Sequence, residues 1–371
     1  MKKLSTQIVV LSTDATKQLN NYLKNYKNIL LVCDENTYKF NELIEPEHNY
    51  YIYPPNVHAT PEESSELDSI DCDVMIACGA GTIHDITRYA AHKRNIPFIS
   101  YPTAASVDGF VSNIAAMTVD GRKKTLPSTP PIALFADPAV FSTAPKRYTV
   151  SGICDIIGKY ISLFDWKFAS LLTGEELDFE LIKMLEDILE KIKNPENIID
   201  IMEGLINSGM VIQLHGNSRP ASGAEHHLSH FWEMNLLNDE TGALHGEKVG
   251  VATLMMLEKY KSADKIVLKN KPLDHKYLEL VFGPLTDGII EENTPSPLDE
   301  LSQEVVDEKI PEIRALIEEL PDVETIKKYY EKIGAPQTLR ELGLPDDEEF
   351  IKKTFEFAPY VRKRLTLLKI L

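Results

Sequence analysis

Histidines gather in the segment RPASGAEHHLSHFWE (residues 219–233), which holds His226, His227 and His230. On a helix, positions four apart share a face, so His226 and His230 point together while His227 points about 100° away. His245 follows in the glycine-flanked GALHGEKVG, and Asp155 sits in SGICDIIGKY between Gly152 and Gly158. Glycine is costly in a helix interior, so its use beside Asp155 asks for a reason. One carboxylate and two imidazoles on different elements can build a catalytic divalent-metal site with an open coordination position. A lone histidine is more often a satisfied core residue, but three or four in two glycine-rich contexts favour a metal. Cys154 is not counted as a ligand, because adjacent helix positions diverge.

A second constellation suits an anion. An apolar run ends in Cys78-Gly79-Ala80-Gly81-Thr82-Ile83-His84-Asp85 and passes into a helical pattern. Glycines at a strand-to-helix turn let backbone N–H groups approach a pyrophosphate at the positive end of the helix. The G-x-G turn alone is a weak signal, since His84 takes the place of the third glycine of the dinucleotide fingerprint and many such turns are only tight turns. The next apolar run ends in YPTAASVDGFVSN (residues 101–113), where Thr103 and Ser106 suit hydrogen bonds to a dinucleotide. A bland turn rich in Ser and Thr fits that stretch equally well.

The elements that must position these residues follow from periodicity. Apolar runs at 7–12, 28–34, 50–53, 73–79, 97–102 and 131–137 read as strands, with helical spacing at 14–26, 36–45, 61–70 and 82–94. Continuous apolar runs are what parallel strands buried on both faces look like, and strand–helix alternation implies a doubly wound sheet. From residue 148 the texture is helical, over 148–172, 176–193, 196–212, 222–237, 246–262, 298–318, 323–333 and 347–357. Pro145, Pro220, Pro311 and Pro336 are read as helix punctuation. The acidic, proline-bearing stretch 283–310 is read as a surface excursion or long loop. The expected architecture is therefore an α/β Rossmann-like domain with a parallel sheet over 1–147 and an all-α domain over 148–371, with the site in the cleft between them.

Composition limits the partners. The 371 residues carry a formal charge of −18, which argues against coating nucleic acid or an anionic membrane but not against a small anionic substrate. No apolar run approaches a bilayer span, and Ile8-Val9-Val10-Leu11 reads as a first strand and not as a secretory segment. The four cysteines show no C-x-x-C spacing and are too few for a disulfide scaffold, and the two that end apolar runs, Cys33 and Cys78, read as small hydrophobes. A cytoplasmic protein is expected.

Together GAGTIHDITRY, YPTAASVDGFVSN, SGICDIIGKY, SRPASGAEHHLSHFW and LHGEKVGVAT resemble the glycerol-1-phosphate dehydrogenase family. That family belongs to the metal-dependent polyol dehydrogenases, with glycerol dehydrogenase, the iron-type alcohol dehydrogenases and, more distantly, 3-dehydroquinate synthase. The resemblance covers roughly residues 25–262, with a looser match at KIGAPQTLRELGL. It implies a dinucleotide loop on Gly79, Gly81, Thr82, Ile83, His84 and Asp85, and a second coenzyme segment on Thr103, Ala104, Ala105 and Ser106, with a further contact at Ser112. It also implies metal ligation by Asp155, His226 and His245, with His230 and Asp108 on the substrate. Ala80 and Thr82 depart from the commoner G-G-G-S-x-x-D loop, but both are small.

The implied reaction is NAD- or NADP-dependent reduction of dihydroxyacetone phosphate to sn-glycerol 1-phosphate, a step of phospholipid biosynthesis. Zinc or nickel is expected ahead of iron, and a homo-oligomer, a dimer or larger, is expected. Lys159, Arg219 and Lys248 are the nearby cations for the phosphate, and Asp34 could accept ribose hydroxyl bonds. Rival readings are a glycerol dehydrogenase, a dehydroquinate-synthase-like cyclase and a non-enzymatic binding protein. The last would not need the full ligand set.

Overall fold

The computed structural model describes residues 4–193, 198–234, 242–268 and 273–371. The chain forms two compact units. One comprises Met1–Val119, Lys123–Ile156 and Met184–Ser218, the other Asp120–Arg122, Ile157–Lys183 and Arg219–Leu371.

In the first unit all six strands read from the sequence form: β1 (Ile8–Leu11), β2 (Ile29–Asp34), β3 (Asn49–Tyr53), β4 (Val74–Gly79), β5 (Phe98–Pro102) and, after an intervening hairpin, β8 (Ala133–Ala136). They make one parallel sheet in the order β1-β8-β5-β4-β2-β3. Helices α1 (Ala15–Leu23) and α3 (Gly81–Arg94) cover it, with the short α2 (Pro61–Ser65) and α4 (Pro138–Phe141) at its margins. Alternate residues of β2 and β4 enter opposite cores. Leu31, Cys33, Ile76 and Cys78 pack with Leu19 and Leu23 of α1, whereas Leu30, Val32, Met75 and Ala77 pack with Ile83, Ile86 and Ala90 of α3. Burying such a side chain stabilises the fold by roughly 1.5–3 kcal/mol. The four cysteines are unbridged and buried, and burial pushes the Cys33 thiol up to about 12, so these are packing residues.

The strand order fixes where a ligand can sit. From β2 the chain moves to the β3 edge, whereas from β4 it moves the opposite way to β5. That reversal is a topological switch point, and ligands bind beyond the carboxyl ends of the two strands that flank it. Those ends carry Asp34 and Gly79. Thr37 Oγ bridges them by donating to the Cys78 carbonyl at 3.0 Å.

The structure departs from the sequence reading at several elements, among them the segment 36–45, which is a 3-10 helix over Tyr38–Leu43, and α4 and the later α11 (His275–Phe282), which were not expected. A hairpin of β6 (Ile114–Val119) and β7 (Arg122–Pro127) was not expected. Its two-residue turn puts Asp120 at φ 50° and Gly121 at φ 75°, the left-handed pair that an Asp-Gly hairpin turn requires. The helix expected over 148–172 is two, α5 (Lys146–Ile157) and α6 (Lys159–Thr173), meeting at Gly158. These are followed by α7 (Phe179–Lys191) and α8 (Ile198–His215). The second unit holds α6 and then α9 (Ala224–Trp232), α10 (His245–Lys261), α11 (His275–Phe282), α12 (Thr286–Glu292), α13 (Gln303–Glu319), α14 (Val323–Ile333) and α15 (Glu348–Phe357).

The 283–310 stretch is therefore not a loop. It contains α12, which buries Thr286 and Ile289, and the start of α13, while Leu298 between them is also buried. Pro311 lies inside α13 and does not end it. Parts of the expected helices at 196–197 and 235–237 lie outside the described residues, as do Met1, Lys2 and Lys3. Among the described residues no helix is long and apolar enough to cross a membrane.

Candidate active site

The glycine turn joins β4 to α3 at Ala80, which caps the helix without a side-chain hydrogen bond. No acidic residue occupies the first turn, so the helix N-terminus offers its amides and the positive end of its dipole to an anion. Gly81 and Thr82 are partly exposed there, whereas Ile83 and His84 turn inward. The His84 ring lies 3.0 Å from the Ala80 carbonyl through Nδ1 and 2.8 Å from Ser100 Oγ through Nε2. It braces the turn against β5. Asp85 pairs with the buried Arg88 guanidinium at 2.6 Å, and Arg88 donates in turn to the carbonyls of Gly109 and, at 3.0 Å, Ile114.

Burial pushes His84 down to about 3, which gives the brace a pH signature. The folded chain keeps this ring neutral while the unfolded chain takes up a proton near pH 6.5. Its contribution to stability is whole above about pH 6.5 and is lost as pH falls toward 3. Urea unfolding at about pH 7.5 and pH 5 should show the wild type losing more stability than His84→Gln. Equal losses would remove this role from His84.

Beyond β5, Thr103, Ala104, Ala105 and Ser106 are all buried. Thr103 N donates to the Gly79 carbonyl at 3.1 Å, which joins the two expected coenzyme segments. Ser106 Oγ is buried and has no hydrogen-bond partner among the described residues. Ser112 is engaged locally, donating to the Ile114 carbonyl at 3.2 Å and accepting its amide at 3.1 Å. Asp34, read as a ribose partner, accepts from Thr37 N at 2.9 Å. The Asp155 carboxylate, on α5 and 1% exposed, accepts the Asp108 amide at 3.1 Å. Asp108 Oδ2 accepts from Ser208 Oγ of α8 at 2.8 Å. Sequence reasoning missed Ser208, which carries no motif.

In the second unit α9 and α10 bring three imidazoles together. Ring centroids are 5.9 Å apart for His226 and His230, 5.4 Å for His226 and His245, and 5.6 Å for His230 and His245. Glu225 Oε1 lies 2.6 Å from His226 Nδ1, and Glu233 Oε1 lies 3.1 Å from His245 Nδ1. Donor atoms of His230, Glu233 and His245 lie within 4.8 Å of one another. Arg362 Nη2 is 3.5 Å from His230 Nδ1. Burial and then that guanidinium hold His230 well below the usual imidazole range.

His227 stays out of the cluster. It is fully buried, neither ring nitrogen has a partner among the described residues, and burial with the cations Lys369 and Arg364 lowers its pKa. The expected helix register thus holds for His226 and His230. Of the expected cations, Arg219 is held by Glu175 at 2.9 Å and by the carbonyls of Asp165 and Leu365. Lys159 donates to the Ala221 carbonyl at 3.1 Å, and Lys248 lies 3.7 Å from Glu233. Glu225, Glu233 and Arg362 were not singled out in the sequence. The first two lie in the histidine segment, but adjacent helix positions diverge and Glu233 meets a histidine of the next helix, so no local pattern marked either as an imidazole partner; Arg362 lies far from every motif.

The donor chemistry fits a divalent ion. Imidazoles that meet carboxylates at Nδ1 have Nε2 left to face a metal, and Glu225 Oε2 is buried with no partner among the described residues, a deficit that a nearby cation offsets. The coenzyme also fits: the open α3 N-terminus and the unpartnered Ser106 Oγ are suited to a dinucleotide's phosphates and hydroxyls.

Residues 10–145 match the family model described as iron-containing alcohol dehydrogenase. The fold is similar to a probable glycerol dehydrogenase from Sinorhizobium meliloti, with TM-score 0.67 and 17% identity, covering 98% of this chain and 94% of that one. It is also similar to glycerol dehydrogenase from Schizosaccharomyces pombe, with TM-score 0.64 and 19% identity, covering 98% and 84%. The matched region is thus similar to iron-containing alcohol dehydrogenases, and the two glycerol dehydrogenases share the fold. The glycerol-1-phosphate dehydrogenase [NAD(P)+] of Geobacillus thermodenitrificans is 34% identical over 98% of this chain and 92% of its own length. That of Bacillus subtilis is 32% identical over 99% and 91%. The chain belongs to the glycerol-1-phosphate dehydrogenase family.

Proposed function

We infer that this protein catalyses the NAD(P)-dependent, metal-dependent, reversible reduction of dihydroxyacetone phosphate to sn-glycerol 1-phosphate. The observation that carries the reading is identity of 32–38% to several relatives bearing that name, on a chain whose α9 and α10 converge three imidazoles. A soluble cytoplasmic homo-oligomer, a dimer or larger, goes with it.

The metal site is proposed on Asp155, His226 and His245, with zinc or nickel ahead of iron. The donors are one carboxylate and two imidazoles, a set that several divalent ions accept. When bound, the ion supplies Lewis acidity at the substrate carbonyl, and the nicotinamide supplies the hydride. The chain's own residues do the rest. Gly79, Gly81 and Thr82 receive the coenzyme phosphates at the α3 N-terminus, with Ile83, His84 and Asp85 holding the turn in shape. Thr103, Ala104, Ala105, Ser106 and Ser112 line the second coenzyme segment. Asp108, steadied by Ser208, and His230 orient the substrate hydroxyls. The neutral His230 ring can accept a proton from a substrate hydroxyl and return it, depending on the direction of turnover.

The test is nicotinamide absorbance with dihydroxyacetone phosphate, dihydroxyacetone and glycerol as separate substrates. Turnover should be confined to the phosphate ester in the reducing direction, and the product should resist an enzyme specific for sn-glycerol 3-phosphate. Comparable efficiency on the unphosphorylated polyol, or ready oxidation of the product by that enzyme, would overturn the assignment.

A further inference from the structure

We propose that Glu225 and Glu233 are positioning residues for the metal: each accepts the Nδ1 proton of one ligand imidazole and so presents Nε2 of His226 and of His245 to the ion. The proposal rests on the reading of those two histidines as ligands.

The direction of both hydrogen bonds follows from the other neighbours of the same oxygen atoms. Glu225 Oε1 lies 2.6 Å from His226 Nδ1 and also receives the Gly223 amide at 2.8 Å. An ionised carboxylate carries no proton and only accepts, so with the Gly223 N–H on one lone pair of Oε1 the imidazole nitrogen facing the other is the donor. Glu233 Oε1 lies 3.1 Å from His245 Nδ1 with the Lys248 ammonium 3.7 Å away. An ammonium has no lone pair, so this oxygen too faces donors. A neutral imidazole with its proton on Nδ1 keeps one lone pair, on Nε2, and that is the only atom it can give a metal.

The two carboxylates reach their rings by different local devices. Glu225 precedes His226 on α9, and adjacent helix side chains diverge. It meets the ring only because it folds back over the helix N-terminus, where Gly223 caps α9 without a side chain of its own. The carboxylate thus caps the helix and clamps the imidazole with one oxygen. Glu233 sits at the other end of α9, as its C-cap, and His245 is the first residue of α10. Their contact ties the end of one histidine-bearing helix to the start of the next, which fixes the spacing of the two rings. Both carboxylates are nearly closed to solvent, Glu225 at 0% and Glu233 at 9% side-chain exposure. Water therefore competes little for either bond.

The experiment uses full-length protein labelled with ¹⁵N in histidine. In the metal-free protein at about pH 8, long-range proton–nitrogen correlation should show both rings protonated at Nδ1. Added zinc should shift Nε2 of each. In Glu225→Gln and Glu233→Gln, zinc affinity measured against a chromophoric chelator should fall about 10–100-fold, with the far-ultraviolet spectrum preserved. An Nε2-protonated ring at either histidine of the metal-free wild type overturns the proposal, as does zinc affinity within threefold of wild type in both variants. Glu233→Gln, at the less enclosed of the two sites, keeps the test open if Glu225→Gln misfolds. His226→Ala separates the two levels. If it keeps zinc, the ligand reading itself has failed; if it loses zinc while both glutamine variants hold it, only the positioning role has.

Discussion

His226→Ala is expected to strip the protein of its metal and to lower kcat/KM by about a thousandfold or more, while His227→Leu one residue later leaves the metal in place. Loss of a Lewis acid at the carbonyl removes several kcal/mol of transition-state stabilisation, and about 4 kcal/mol is a thousandfold in rate. The contrast comes from the helix. His226 shares a face with His230, their ring centroids 5.9 Å apart, whereas His227 is buried with both ring nitrogens unpartnered among the described residues. Replacing an unsatisfied buried imidazole by an apolar side chain of similar size removes a desolvation cost and leaves stability equal or higher. Metal content by atomic emission, initial rates and urea unfolding on the two variants check this. Stoichiometric metal with normal turnover in His226→Ala would refute the ligand assignment; loss of metal in His227→Leu would refute the placement of the two faces.

The same helix shows why much of the site was legible in the sequence. Spacing of four needs no tertiary information, so His226 and His230 could be paired from the chain alone. Likewise the uninterrupted apolar runs of β2 and β4 announce burial on both faces, and their strand–helix alternation announces a parallel sheet. Where the sequence misled, the signal was weak against its surroundings. In β7, RKKTLP carries no alternation of apolar and polar residues, so the Asp120-Gly121 turn signal lacked a second strand to confirm it. In α12 the buried Ile289 lies among acidic neighbours, and charge masked the helix. Arg362 reaches His230 from far along the chain, and such a contact is a product of the fold with no local pattern. Ser208 is of the same kind: its partner Asp108 lies a hundred residues away.

Gly152 carries the other large effect, and its sign is the test. Replacing a helical glycine with alanine ordinarily stabilises a helix by up to about 1 kcal/mol. Here the opposite is expected. A Cβ at residue 152 of α5 would run into the carbonyl of Ala105 and stand 3.0 Å from Leu205 Cδ1. Ala105 is fully buried in the segment after β5, so its backbone cannot move aside without disturbing Thr103, whose amide is fixed on the Gly79 carbonyl. The helix cannot retreat freely either. Ser151 Oγ donates to the Ser106 carbonyl at 3.2 Å, and Asp155 Oδ2 accepts the Asp108 amide at 3.1 Å. Residues 151, 152 and 155 thus form one face of α5 pressed on residues 105–108, and the missing side chain at 152 is what allows the approach. Forcing a methyl into such a contact costs about 1–3 kcal/mol, more than propensity returns. Gly152→Ala should therefore unfold at lower urea than wild type. It should also bind NAD(P)H more weakly by fluorescence titration, because the displaced segment carries the buried Ser106. A variant as stable as wild type, with unchanged coenzyme affinity, would mean that α5 and the 105–108 segment do not meet so closely, and the glycine that looked out of place in the sequence would still lack its reason.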